Sequence, residues 1–174
     1  MTRERWLQLD AAWSQAMRLP DGQRLLRGVA AVLAHSGDSW FWALGLLIVL
    51  GSGSAEARLW SLRALISIAV LAAVVLSIKL LIRRRRPEGE WGRIYRATDP
   101  HSFPSGHAAR SFLLAVLAAG WGPAWLAIVL IVWAPLVSLA RVAMGLHYLS
   151  DVVGGAILGL LAGGVSLAVV GALT

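Results

Sequence analysis

The chain has 174 residues, of which 58% are hydrophobic and 14% charged, against roughly 25% charged in soluble domains, and its mean hydropathy is +0.71. That composition excludes an ordinary soluble domain and points to an all-α polytopic membrane helix bundle. The net charge of +7 would suit nucleic acid, but the arginines sit at helix ends and in one polar loop of an apolar chain. Anionic lipid headgroups are therefore the nearer partner, and no nucleic acid is expected.

Cysteine is absent, so disulfides, thiolate nucleophiles and zinc–thiolate sites are excluded. Residues 1–37 mix Arg3, Arg5, Arg18, Arg24 and Arg27 with Trp6, Trp13, Leu25, Leu26 and Val29, interrupted at Pro20, Asp21 and Gly22. This pattern predicts N-terminal interfacial helices rather than a span. The opening stretch lacks the apolar run and cleavage site of a signal peptide and reads as mature chain.

Residues 38–174 read as the transmembrane core, with about five spans of roughly 20 residues each. The first, 40–51, is short, and the second, 59–82, is full length, with Arg63 placed to snorkel. A polar loop, 83–103, leads to spans at 105–120, 123–141 and 150–172. Gly154, Gly155, Gly159, Gly163 and Gly164 predict close backbone approach along the last helix. Pro135 predicts a kink in the fourth span, and the nine tryptophans mostly fall near span ends, as interfacial anchors do.

The chemistry concentrates in four places: Lys79 to Pro87, Pro104 to His107, Arg141, and His147 with Asp151. They fall at the end of the second span, the start of the third, the end of the fourth and the start of the fifth. With alternating spans, all four emerge on one membrane face, as a single polar site requires.

His147 and Asp151 are four apart at a predicted helix start, so Asp151 can fix one imidazole nitrogen and leave the other as nucleophile or base. By itself, such a pair is more readily an interfacial His with a solvated Asp. Ser105, Gly106 and His107 open the third span, where unpaired backbone amides make a phosphate site and His107 could protonate a leaving oxygen. An ordinary helix cap after a proline is the plainer reading of that segment alone. Lys79, Arg86 and Arg141 could hold the oxygens of a phosphoryl group.

Arg83, Arg84 and Arg85 read as a basic membrane-surface cluster, and His35 and His101 as loop or interface residues, His101 near enough for a substrate contact. No carboxylate cluster accompanies the site, so a metal-independent reaction without a cofactor is expected.

At these residues the chain resembles the type 2 phosphatidic acid phosphatase superfamily, which includes bacterial phosphatidylglycerophosphatase and undecaprenyl diphosphate phosphatases, glucose 6-phosphatase and vanadium haloperoxidases. The family pattern reads here as Lys79, Arg86 and Pro87, then Pro104, Ser105, Gly106 and His107, then Arg141, His147 and Asp151, with every spacing matched. The resemblance implies that His147 attacks phosphorus to give a phosphohistidine, Asp151 orients it and His107 protonates the leaving group. Lys79, Arg86, Ser105, Gly106 and Arg141 would bind the phosphate. One position departs: the serine that precedes the arginine in the family is Ala140 here.

The expected function is a lipid phosphate or diphosphate phosphatase of the bacterial cell membrane. A polyprenyl substrate, undecaprenyl diphosphate, comes first, with phosphatidylglycerol phosphate or phosphatidate second. A vanadate-dependent haloperoxidase is disfavoured by the apolar spans, and a catalytically silent membrane binding protein by the intact His107, His147 and Asp151. The resemblance favours a site facing outside. The predicted topology, however, puts every Lys and Arg except Arg58 and Arg63 on that face, opposite to the positive-inside rule.

Overall fold

A computed structural model describes residues 2–88 and 99–173; the middle of the expected polar loop, 89–98, lies outside the described residues. Among the described residues there are seven helices: α1 (Arg3–Ala16), α2 (Arg24–Ser36), α3 (Ser39–Ser52), α4 (Ala55–Ile82), α5 (Gly106–Trp121), α6 (Ala124–Ala143) and α7 (Leu149–Leu173). The chain is an integral membrane helix bundle.

Its inside and outside are distributed as bilayer solvent requires. The long helices α4, α6 and α7 have mean hydropathies of 2.8, 2.2 and 2.3 over their most apolar stretches, yet most of the α4 and α7 surface is not buried in the protein. Ile66, Val70, Leu81, Ile128, Ile157, Leu161 and Val165 all face outward. In water such a surface would aggregate, whereas in lipid it costs nothing. The pair α2 and α3 bends by 53° at a short break and together is long and apolar enough for a fourth, broken span.

The interior belongs to α5. Leu113, Leu114 and Leu117 are fully buried, with Ala109 and Ala118 between them, and Leu71 and Val75 of α4 and Ala134 of α6 pack in the same cluster. Contact with α7 is closest because glycines face α5. A methyl on Gly155 would lie 2.4 Å from the Ser105 carbonyl oxygen, and one on Gly159 only 2.1 Å from that of Ala109. Gly154 lies against Phe103, while Gly164, on the other side, faces open space.

Three local features bring the site together. Helix α4 ends at Arg83 in the left-handed conformation (φ 50°, ψ 38°), which turns the chain back over the helix end. The α6–α7 turn passes through Gly145 at φ 67°, a conformation that strains any residue with a side chain. Ser105 caps α5 by accepting from the Ala108 amide, and its own amide donates to the Asp151 carbonyl at 2.9 Å, tying the starts of α5 and α7 together. Helix α6 continues through Pro135. On its small-residue side, α2 rests Ala30 and Ala34 on Ala140, Met144 and Leu146.

Candidate active site

The ends of α4, α5, α6 and α7 meet around a cavity of about 470 Å³ lined by Lys79, Gly106, His107 and His147 among others. Arg86, Arg141, Ser105 and Asp151 stand directly behind that lining, each buried. All eight sequence-predicted residues are thus brought to one end of the bundle. The open space beside Gly106, whose only near neighbour would be Val75 at 3.7 Å, keeps the start of α5 approachable.

His147 is fully buried in the α6–α7 turn. Its Nε2 lies 3.1 Å from Arg86 Nη1, which also donates to the Leu146 carbonyl at 3.0 Å. A guanidinium has only protons to offer, so Nε2 presents its lone pair and Nδ1 carries the proton. Nδ1 faces Asp151 Oδ2 at 3.5 Å, and the same oxygen accepts the Tyr148 amide at 2.9 Å. Burial first, and then the charges of Arg86, Arg141 and Lys79, hold the imidazole well below the ordinary histidine range. It is therefore neutral at pH 7, and its Nε2 lone pair is one that can attack an electrophile.

Asp99 closes the cationic side. It ion-pairs with Lys79 Nζ, and it accepts from Arg86 Nη2 at 2.7 Å through its side chain and from Arg86 Nε at 2.6 Å through its carbonyl. Burial pulls its carboxyl upward, but the bond and charge of Lys79, with the charge of Arg86, outweigh that and hold it below the usual carboxylate range. A carboxylate thus occupies a cation pair that can hold the oxygens of an anion. Lys79 also donates to the His101 carbonyl at 3.1 Å, and His101 lines the cavity.

Arg84 corrects the surface reading of the basic run. Arg83 and Arg85 are exposed, but Arg84 turns inward, donating to Asp151 Oδ1 at 2.8 Å, Ser150 Oγ at 2.6 Å and Asp10 Oδ2 at 2.6 Å, with Tyr148's ring centroid 4.0 Å from its guanidinium carbon. Asp10 of α1 also accepts the Ser150 amide at 3.0 Å, and Ser14 accepts that of Leu149 at 2.8 Å. Helix α7 has its first amides satisfied from another helix, a tertiary substitute for a side-chain cap.

His35, at the end of α2, is linked to the site: its Nδ1 lies 3.2 Å from Asp38 Oδ2, and Asp38 Oδ1 lies 2.7 Å from His107 Nε2. Arg110, a charge inside the third predicted span, donates to the Gly37 carbonyl and to Ser39 Oγ. That arginine was the available sequence signal, since a charge there demands a buried partner. Asp10, Asp38 and Asp99 carried no comparable signal. Among the described residues no group of three His, Cys, Asp or Glu is placed to hold a metal ion.

Residues 58–174 match the PAP2 superfamily. The chain belongs to that superfamily. A solved PAP2 type phosphatidylglycerolphosphate phosphatase from Bacillus subtilis is similar over 99% of this chain and 89% of that one, with a TM-score of 0.78 and 26% identity. The Aquifex aeolicus LpxE structure shares the fold, with a TM-score of 0.69 and 24% identity over 93% of this chain and 94% of that one. A Lipid A 4'-phosphatase of Bacteroides thetaiotaomicron is 48% identical over 58 residues, which are 33% of this PAP2 chain and 26% of that relative. This chain therefore matches about a quarter of that curated relative's length.

Proposed function

We propose that this PAP2 protein is a metal-independent membrane phosphatase that hydrolyses a lipid phosphate or diphosphate through a phosphohistidine on His147. The observation that carries the reading is the shape of the cavity. Lys79, His107 and His147 form one end, and Ile68, Leu71, Ala72, Val75 and Leu76 of α4 form a wall leading away from it. From Ile68 to Lys79 that wall is about 16 Å long at 1.5 Å per residue. A phosphate can enter the cationic end while its hydrocarbon tail stays against α4, within the bilayer.

A larger groove, about 860 Å³, lies at the other end of the spans among Trp60, Trp121, Trp125 and Glu56. Its acidic residue would repel phosphate, and no chemistry is assigned to it.

In the proposed reaction, Lys79, Arg86 and Arg141, with the start of α5 at Ser105 and Gly106, bind the phosphoryl oxygens. The His147 Nε2 lone pair attacks phosphorus as the bond to the leaving oxygen breaks, and His107 gives that oxygen a proton. Asp151 holds the imidazolium that results. Water then attacks the phosphohistidine and passes a proton to His107. The P–N electron pair returns to His147, and inorganic phosphate leaves. Loss of the family serine at Ala140 removes one hydroxyl contact and leaves these groups in place.

A polyprenyl diphosphate, whose single tail suits one helix wall, is the substrate to test first. Phosphatidylglycerol phosphate is the second, favoured by the likeness to the Bacillus subtilis protein along nearly the whole chain. Phosphatidate completes the set. We place α1 at the membrane interface and the site on the outer face of a bacterial cell membrane. The positive-inside objection weakens because Lys79, Arg84, Arg86 and Arg110 are all committed to internal contacts. As the chain has no cysteine, a single Thr2→Cys variant labelled by an impermeant maleimide on intact cells tests that placement.

The deciding experiment is phosphate release by detergent-purified protein in excess chelator from the three lipids, with His147→Ala as control. Activity lost in the variant supports the histidine mechanism, and the order of rates names the substrate. Folded wild-type protein that releases nothing would leave a silent binding protein as the reading.

A further inference from the structure

The break between α2 and α3 is fastened by hydrogen bonds from three side chains. The Ser36 carbonyl accepts from Trp42 Nε1 at 2.9 Å, and Ser36 Oγ accepts from Trp133 Nε1 at 2.8 Å. The Gly37 carbonyl accepts from Arg110 Nε at 3.1 Å and also from its Nη2, while Arg110 Nη1 donates to Ser39 Oγ at 2.5 Å. A methyl on Gly37 would lie 2.9 Å from Val137 Cγ1 and 3.2 Å from His107 Cδ2. Only glycine lets the break lie so flat on the His107 ring.

What this arrangement delivers is one carboxylate. Asp38 Oδ1 lies 2.7 Å from His107 Nε2, and its second oxygen lies 3.2 Å from His35 Nδ1. The side chains of Asp38 and His107 are 18% and 15% exposed, and that of His35 is 50% exposed. A carboxylate can only accept, so His107 Nε2 carries a proton and Nδ1 is the nitrogen left for exchange.

We propose that Asp38 is the positioning residue for His107 in proton transfer, with His35 steadying its second oxygen. The proposal rests on the reading of His107 as proton donor. Asp38 keeps Nε2 protonated throughout, so the His107 imidazolium gives one proton from Nδ1 to the departing oxygen, and the neutral ring that remains regains one at Nδ1 from the attacking water. The pair does for the second histidine what Asp151 does for His147.

The test separates substrates by leaving group. An alkyl lipid phosphate needs a proton on the departing oxygen, whereas p-nitrophenyl phosphate releases its phenolate without one. Asp38→Asn, shown folded by thermal unfolding in detergent, should lower kcat on phosphatidylglycerol phosphate or phosphatidate by about 10²-fold, the lower end of what acid–base catalysis supplies. KM should stay within about threefold, and so should the single-turnover rate of p-nitrophenolate release, which reports phosphohistidine formation without the later proton transfer from water. Asp38→Glu should recover part of the loss.

Equal losses in lipid turnover and in single-turnover p-nitrophenolate release, or no loss in either, would overturn the proposal. Two controls separate it from the underlying reading. His147→Ala must lose both activities, and His107→Ala must show the same split; a His107→Ala variant impaired equally on both would overturn the donor role and this proposal with it. Nitrogen-15 NMR of histidine-labelled wild-type protein reads the tautomer without any Asp38 variant. Neutral His107 should be protonated at Nε2, and protonation at Nδ1 would overturn the proposal.

Discussion

Arg86 Nη1 and His147 Nε2 face each other at 3.1 Å, so the cation proposed to bind phosphate also keeps the proposed nucleophile unprotonated at Nε2. Because burial and the charges of Arg86, Arg141 and Lys79 depress its pKa, His147 stays neutral well below the usual histidine value of about 6.5. The acid limb of kcat/KM against pH, which reports the free enzyme, should lie clearly below pH 6.5. In Arg86→Gln the limb should move up toward that value, with a drop in kcat of about 10² to 10³. The same depression means the folded state binds fewer protons than the unfolded one, so this group's contribution to stability is complete above about pH 6.5 and is lost as pH falls toward the folded pKa. A wild-type acid limb at or above 6.5 would refute this.

Asp99 sits on the Lys79 and Arg86 nitrogens and, in the proposed reaction, must yield to an incoming phosphate. Asp99→Asn removes the competing charge while keeping the shape. Inorganic phosphate should then inhibit about 3- to 10-fold more tightly, on the scale of one ordinary hydrogen bond. Unchanged or weaker inhibition would show that Asp99 assists binding instead of competing with it.

Arg84 bridges Asp10 and Asp151, so removing it leaves two carboxylates facing each other at a buried helix start. Arg84→Ala should destabilise by about 3–5 kcal/mol and reduce phosphate release by more than tenfold. Asp10→Asn, which retains an acceptor, should cost about 1–2 kcal/mol. Thermal unfolding and turnover measured on the same preparations check both, and an Arg84→Ala protein as stable as wild type would contradict the bridge.

Gly159 and Gly164 form an internal contrast on one helix. A methyl at Gly159 meets the Ala109 carbonyl oxygen at 2.1 Å, and one at Gly164 meets nothing within 4 Å. Gly159→Ala should cost about 1–3 kcal/mol or more by forcing α5 and α7 apart, whereas Gly164→Ala should be neutral or slightly stabilising. Equal melting temperatures for the two variants would sink this account of α5–α7 packing.

The membrane bundle, the late antiparallel spans and the convergence of Lys79, Arg86, Ser105, His107, Arg141, His147 and Asp151 were all legible in one dimension. An apolar run near bilayer thickness must be a helix, successive spans must alternate, and residues four apart share a face. Those constraints act locally or through the bilayer and need no knowledge of packing.

What supports the two histidines was not legible, because it joins segments far apart in the chain. Asp38 meets His107 across 69 positions and Asp10 meets Arg84 across 74. Nothing in the run RRRR distinguishes Arg84 from its neighbours until the left-handed turn at Arg83 directs it inward. By itself the sequence determined which residues reach one end of the bundle. Only the tertiary structure decided which carboxylate faces which imidazole, since that depends on how each helix is rotated and how closely its glycines let it approach its neighbour.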